Sequence, residues 1–321
     1  MLARPQRRPS ARTGRVCGGP SFTSEEPDMR TAVLTLLAMI AFAANSLLCR
    51  VALRDTGIDA ATFTSVRIAS GALMLSLIAW LRVGRVVFAG DWPAALALFA
   101  YAAGFSYAYV SLPAATGALL LFGAVQITMI GHGIRSGEPF GLRQWLGVAC
   151  ALAGLVGLLL PGLSAPSPGG AVLMLGAGIA WGLYSLKGRG VADPTAATAG
   201  NFMRAVPFAV ALSVATSAHT AASHQGLAFA ALSGALTSGI GYALWYAALP
   251  ALRAATAATV QLSVPVIAAL GAMVFLGEAL TARIVAASLA ILGGIAIVII
   301  NRWSPGDTVR SPANTSSRTT P

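Results

Sequence analysis

Charge is scarce in this chain: 10% of its 321 residues are Asp, Glu, Lys or Arg, against about 25% in a soluble domain. That deficit excludes a water-facing surface over most of the length. Acids are the scarcest, ten in all, and none lies inside an apolar run. A carrier of lipophilic cations wants a buried carboxylate as counter-charge and proton acceptor, so that class is disfavoured. Only three histidines (His132, His219, His224) and three cysteines (Cys17, Cys49, Cys150) occur. None has metal-ligand spacing, and no disulfide framework follows. There is no His-Glu-x-x-His, Gly-x-Ser-x-Gly or P-loop pattern, and no carboxylate at membrane depth to orient a base. The expectation is a protein that is not an enzyme and uses no cofactor or metal.

What is abundant is apolar: 56% of residues, gathered into continuous runs of about 20. A helix of about that length crosses a hydrocarbon core of roughly 30 Å. Continuous rather than alternating runs exclude a β-barrel. The reading is an all-α membrane protein with ten transmembrane helices, near 31–49, 60–81, 93–111, 113–134, 141–160, 170–187, 196–216, 227–249, 253–276 and 280–300. The net charge of +11 is distributed for topology rather than for nucleic acid. With the N-terminus inside, the outer face keeps only Arg50, Arg54 and Arg283, and the other arginines outside the spans fall on the inner face. Both termini are expected in the cytoplasm.

The membrane region occurs twice. Ala32 to Phe42, with Ser46 and Arg50, is echoed by Ala171 to Trp181, with Ser185 and Arg189. Gly104 to Pro113 is echoed by Gly241 to Pro250, and Gly137-Glu138, Arg143 and Gly154 return as Gly277-Glu278, Arg283 and Gly294. Five spans per copy is odd, so the second copy enters from the opposite side, as in inverted-repeat transporters. The division expected is an arm at 1–28, repeats at 29–161 and 170–302, an external linker at 162–169 and a tail at 303–321. The arm and tail read as disordered from their polar, Ser- and Pro-rich composition. Gly147, Ala151 and Gly154, with Ala286, Ala290 and Gly294, set small-residue faces on the fifth and tenth spans for close packing.

Candidate binding residues are the polar and aromatic groups at membrane depth. Arg67 and Arg204 occupy matching repeat positions about 10–12 Å along their helices. Burying arginine there is costly, so each faces the bundle or a vestibule. The alternatives are attraction of an anionic group or anchoring on carbonyls of a neighbouring helix. Asn45 and Tyr184 are repeat equivalents, Asn201 precedes Arg204 by one turn, and Gln126 and Gln261 lie mid-span. Tyr101 and Trp245 stand among the tyrosines of spans three and eight. Amides supply hydrogen bonds and aromatics supply shape and cation–π contacts; interhelical glue and interfacial belts are the structural alternatives. Glu138 and Glu278 open the last span of each copy, where a carboxylate complements a helix N-terminus. Pro265 should kink span nine, and span four lacks a matching proline.

Five-plus-five spans, the paired Arg67 and Arg204, the two Gly-Glu pairs, Leu112-Pro113 with Leu249-Pro250, and the Gly-rich last spans resemble the EamA-type transporters of the drug/metabolite transporter superfamily. The resemblance covers about residues 31–302. It implies ten helices in a bacterial inner membrane, a central cavity, and export or exchange of small metabolites such as amino acids. The partners expected are a zwitterionic or anionic small molecule and the bilayer, with no nucleic acid; a homodimer is compatible with the sequence. A passive facilitator and a membrane scaffold without flux are the alternatives.

Overall fold

The computed structural model describes residues 29–84, 89–137, 140–161, 165–188, 191–252 and 254–301. The arm at 1–28, the tail at 303–321, part of the linker at 162–164, and Glu138 lie outside the described residues. Among the described residues every regular element is helical and no strand occurs. The first copy gives α1 (Met29–Asp55), α2 (Ala60–Val83), α3 (Trp92–Tyr109), α4 (Ala114–Arg135) and α5 (Leu142–Leu159). The second gives α6 (Pro168–Lys187), α7 (Pro194–Ala215), α8 (His224–Leu232), α9 (Gly241–Ala248), α10 (Ala254–Gln261), α11 (Ser263–Leu276) and α12 (Ala282–Asn301).

Several helix starts are written in the sequence. The side chains of Asp59, Asp91 and Asp193 accept from amides in the first turns of α2, α3 and α7. Each satisfies donors that have no intrahelical partner and sets negative charge at the positive helix end. Two spans are composite. α8 and α9 form one rod, His224–Ala251, through a π-helical stretch Ser233–Ile240. α10 and α11 meet at Leu262, because Pro265 has no N–H to give the Gln261 carbonyl four residues back.

Among the described residues, eight helices are long and apolar enough to cross a membrane. α3 and α7 have the length but are less apolar, since they carry three tyrosines and the Asn201–Arg204 pair, respectively. Leu36, Leu73, Phe275 and Leu289 are exposed, while Asn45, Arg67, Gln126 and Asn201 are buried. An apolar exterior around a polar interior is the arrangement a lipid solvent selects.

Packing follows the duplication. α2 lies against α7 and α5 against α12, each on its own repeat partner. α1 against α11 is mirrored by α6 against α4, and α3 against α6 by α9 against α1. Exchanging the two copies therefore maps these main contacts onto one another. α4 runs through the centre, 78% of its apolar window buried.

The α5–α12 crossing brings backbone onto backbone: a Cβ on Gly147 would lie 2.6 Å from the Gly294 carbonyl oxygen. A Cβ on Gly154 would lie 2.7 Å from that of Ala290. Replacing Gly147 by Val should force the pair apart at an overpacking cost of about 1–3 kcal/mol. The expected readout is a lower thermal midpoint and less monodisperse protein in detergent. An unchanged midpoint would mean that the crossing is looser than its geometry.

Candidate functional site

Two polar clusters occupy the interior, one on each side of an aromatic stack. In the first, Arg67 of α2 is 1% exposed and heads the fully buried side chains by volume. Its Nη2 donates to the Tyr101 hydroxyl at 2.9 Å, and its Nε reaches Ser238 Oγ at 3.5 Å. The guanidinium carbon lies 4.8 Å from the Phe105 ring centroid and 5.1 Å from that of Tyr101, within cation–π range. Among the described residues no carboxylate pairs with Arg67, and its Nη1 has no hydrogen-bond partner. Asn45 donates from Nδ2 to the Tyr101 hydroxyl at 3.4 Å. Its Oδ1 accepts from Ser233 at 2.7 Å and Thr237 at 3.2 Å.

The π-helical stretch makes this cluster possible. Its wider turn places Ser233, Thr237 and Ser238 on one face, toward α1 and α2. Gly234 lets that rod touch α2, for a Cβ there would strike the Arg67 carbonyl and the Ser70 hydroxyl.

The second cluster is built on α6 and α7. The Tyr184 hydroxyl donates to Thr198 Oγ1 at 3.2 Å and accepts from Asn201 Nδ2 at 3.5 Å. Asn201 Oδ1 in turn accepts the Asp91 backbone N–H at 3.0 Å. Arg204 is half-buried, and its Nη1 donates to the Ala89 carbonyl at 2.6 Å and the Gly200 carbonyl at 3.1 Å. The two arginines match in sequence but not in surroundings: Arg67 turns into the core, whereas Arg204 ties α7 to the segment before α3.

Trp181 joins the clusters. Its ring stacks on Tyr242 at 5.3 Å and on Tyr184 at 5.4 Å, and lies 4.8 Å from Tyr101. A pocket of about 260 Å³ opens beside Tyr184, Thr198, Asn201 and Tyr246, with Lys187 and Asp91 at its rim. Trp245 packs on Phe42 at 6.3 Å. Gln126 is buried on α4 and Gln261 half-buried at the end of α10. Neither joins the hydrogen bonds of the two clusters among the described residues.

The end of the bundle away from the pocket is tied shut. Glu278 accepts the Ala114 N–H through Oε2 at 2.7 Å and pairs with Arg50 Nε through Oε1 at 3.3 Å. Arg50 Nη1 also donates to the Tyr109 and Val110 carbonyls at 2.9 and 3.2 Å. One partly buried ion pair thus holds α1, the end of α3, the start of α4 and the α11–α12 turn. Gly277 at φ 63° makes the tight turn that aims Glu278 inward. Glu278 does cap a helix, but that helix is α4; α12 begins four residues later, and Thr281 Oγ1 accepts from its Ile284 N–H.

Arg54 donates to the Leu276 carbonyl, and Arg283 to that of Leu160. All three arginines at this end therefore serve helix C-termini, where the macrodipole favours cations. Asp59 links the same end to the segment before α8. Partial burial pushes its carboxyl up, but hydrogen bonds from Thr62, Ala221 and Ala61 outweigh this and hold it below the usual carboxylate range.

The family model of EamA-like transporters matches residues 29–160 and again 168–300. The chain belongs to the EamA-like transporter family. This EamA-like protein is 57% identical over 277 residues to a Pseudomonas aeruginosa protein described as uncharacterized, covering 86% of this chain and 96% of that one. A solved crystal structure, described only as that of a protein, superposes with a TM-score of 0.60 at 18% identity, over 85% of this chain and 98% of the other. That likeness concerns the fold alone. The EamA-like chain is accordingly a multi-pass membrane protein of a transporter family.

Sequence reasoning passed over Trp181, Phe105 and the Ser233, Thr237 and Ser238 trio. Trp181 was reachable as the repeat mate of Phe42. The trio was not, because on an α-helix Ser233 and Ser238 diverge, and only the π turn aligns them.

Proposed function

We propose that this protein is a secondary transporter that exports or exchanges small zwitterionic or anionic metabolites by alternating access. The observation that carries the reading is Arg67: a buried cation with no carboxylate partner among the described residues and one N–H direction unspent, beside hydroxyls and aromatic faces. Desolvating a guanidinium is costly, and an anionic group arriving from a vestibule would offset that cost. Ten spans, as repeats at 29–161 and 170–302 of opposite orientation, cross a bacterial inner membrane with both termini cytoplasmic. α3 and α7 complete the ten, their polarity turned to the interior. The arginine bias sets the pocket end in the cytoplasm and the Arg50–Glu278 end outside. Substrate then reaches the aromatic stack from the pocket, and rocking of the repeats opens the far end. No catalytic step is assigned.

Reconstitution into liposomes tests the reading. Accumulation of a metabolite anion or zwitterion against its gradient, driven by an ion or by counter-substrate, is the expected result. Equilibration alone would mean a passive facilitator, which the lack of an intramembrane carboxylate favours as second reading. Absence of flux for every metabolite class would overturn transport in favour of a scaffold.

A further inference from the structure

The pocket holds a charge pair that neither the duplication nor the Arg67 cluster explains. Lys187, the last residue of α6, and Asp91, just before α3, are the charged groups among the described residues lining it. Lys187 Nζ stands 3.7 Å from Asp91 Oδ1, beyond hydrogen-bond contact, with both side chains about half exposed (46% and 53%). Asp91 is the fixed partner, because Oδ1 already caps α3 through the Ala94 N–H at 2.7 Å. Lys187 is a flexible stem whose donors are not consumed by that long contact. An exposed pair of this kind contributes little by itself and exchanges readily for better partners.

Beneath the pair the pocket offers amide and hydroxyl groups, Asn201, Thr198 and Tyr184, and the Trp181 ring stacks on Tyr184 behind that lining. Asp91 and Asn201 are joined directly, through the Asp91 N–H. Two nearby arginines among the described residues are engaged elsewhere. Arg204 is on the Ala89 and Gly200 carbonyls, and Arg82 stands 4.0 Å from Asp193. A ligand of a single charge would satisfy one member of the Lys187–Asp91 pair and strand the other. A ligand with adjacent opposite charges satisfies both.

We propose that Lys187 and Asp91 form a head-group subsite for zwitterions, with Lys187 taking a carboxylate and Asp91 an ammonium as substrate loads from the pocket end. This rests on the transport reading and narrows it from anions or zwitterions to zwitterions. The remainder of the ligand then points at the Asn201–Tyr184 cluster and the aromatic stack. Deeper in, Arg67 supplies a second cation for the carboxylate, and the Trp181 and Tyr242 faces supply the ammonium with cation–π contacts.

The test is proteoliposome uptake of three pools read by mass: the common α-amino acids, their primary amides and their N-acetyl derivatives. Wild type should take amino acids with a KM at least tenfold below either derivative. Lys187→Gln should raise KM for amino acids about tenfold and erase the preference over the amides. Asp91→Asn keeps the α3 cap acceptor, and should erase the preference over the N-acetyl forms. Unchanged selectivity in both variants would overturn the subsite, as would a wild type that moves singly charged metabolites as well as zwitterions. Absence of flux for every metabolite, by contrast, overturns the transport reading itself.

Discussion

Replacing Arg67 by Gln should cut transport about 10- to 100-fold while the protein still purifies folded. The charge-assisted hydrogen bond to Tyr101, worth roughly 1.5–3 kcal/mol, is lost, together with the longer and weaker contact to Ser238. The stability effect should be smaller than the effect on flux, because the variant also removes a buried charge that has no carboxylate partner. Arg67→Lys keeps the charge without the planar fork and should recover only part of the rate. Arg204→Gln should behave in the opposite way. Its Nη1 serves the Ala89 and Gly200 carbonyls, so the thermal midpoint falls while flux, measured at matched folded protein, declines less. Aggregation of Arg67→Gln and Arg67→Lys alike, with Arg204→Gln well folded, would reverse the two roles.

Replacing Glu278 by Ala should be the most destabilising single change at the tied end. It takes the carboxylate from Arg50, whose side chain is 13% exposed, and uncaps the Ala114 N–H. Because the pair is only partly buried and Arg50 keeps its carbonyl partners, the expected cost is about 1–3 kcal/mol, that of leaving polar groups unsatisfied. Glu278→Gln keeps an acceptor for Ala114 and should cost about half as much. Thermal unfolding in detergent reads the difference. A second readout is labelling of a cysteine placed at Leu112, which is fully buried at the same end. Faster labelling in Glu278→Ala means that the pair holds this end closed. Equal labelling with an unchanged midpoint would show that Arg50 and Glu278 are incidental neighbours.

The duplicated pattern made much of the fold legible. Its apolar runs become helices close to their expected positions, because in lipid a backbone must satisfy its own hydrogen bonds. The small-residue faces on α5 and α12 meet, since Gly147 and Gly294 leave room for nothing larger. The site was less legible. Asn45, Arg67 and Tyr101 converge, as do Tyr184 and Asn201, whereas Gln126 and Gln261 join neither cluster. Spacing along one helix shows which residues share a face. It does not show which helix that face meets.

Glu278 marks the same boundary. From sequence it caps the helix that follows; in the structure it reaches across to α4, because the turn at Gly277 points it there. The sequence by itself determined a membrane solvent, two copies of one unit, and a polar interior short of acids. These are matters of composition, period and local hydrogen bonding. Only the tertiary structure decided that Arg67 is buried without a counter-ion while Arg204 is held on carbonyls at the rim. Their difference depends on a π turn in the α8–α9 rod and on helix ends far apart in the chain, and desolvation acts on that finished surface rather than on sequence.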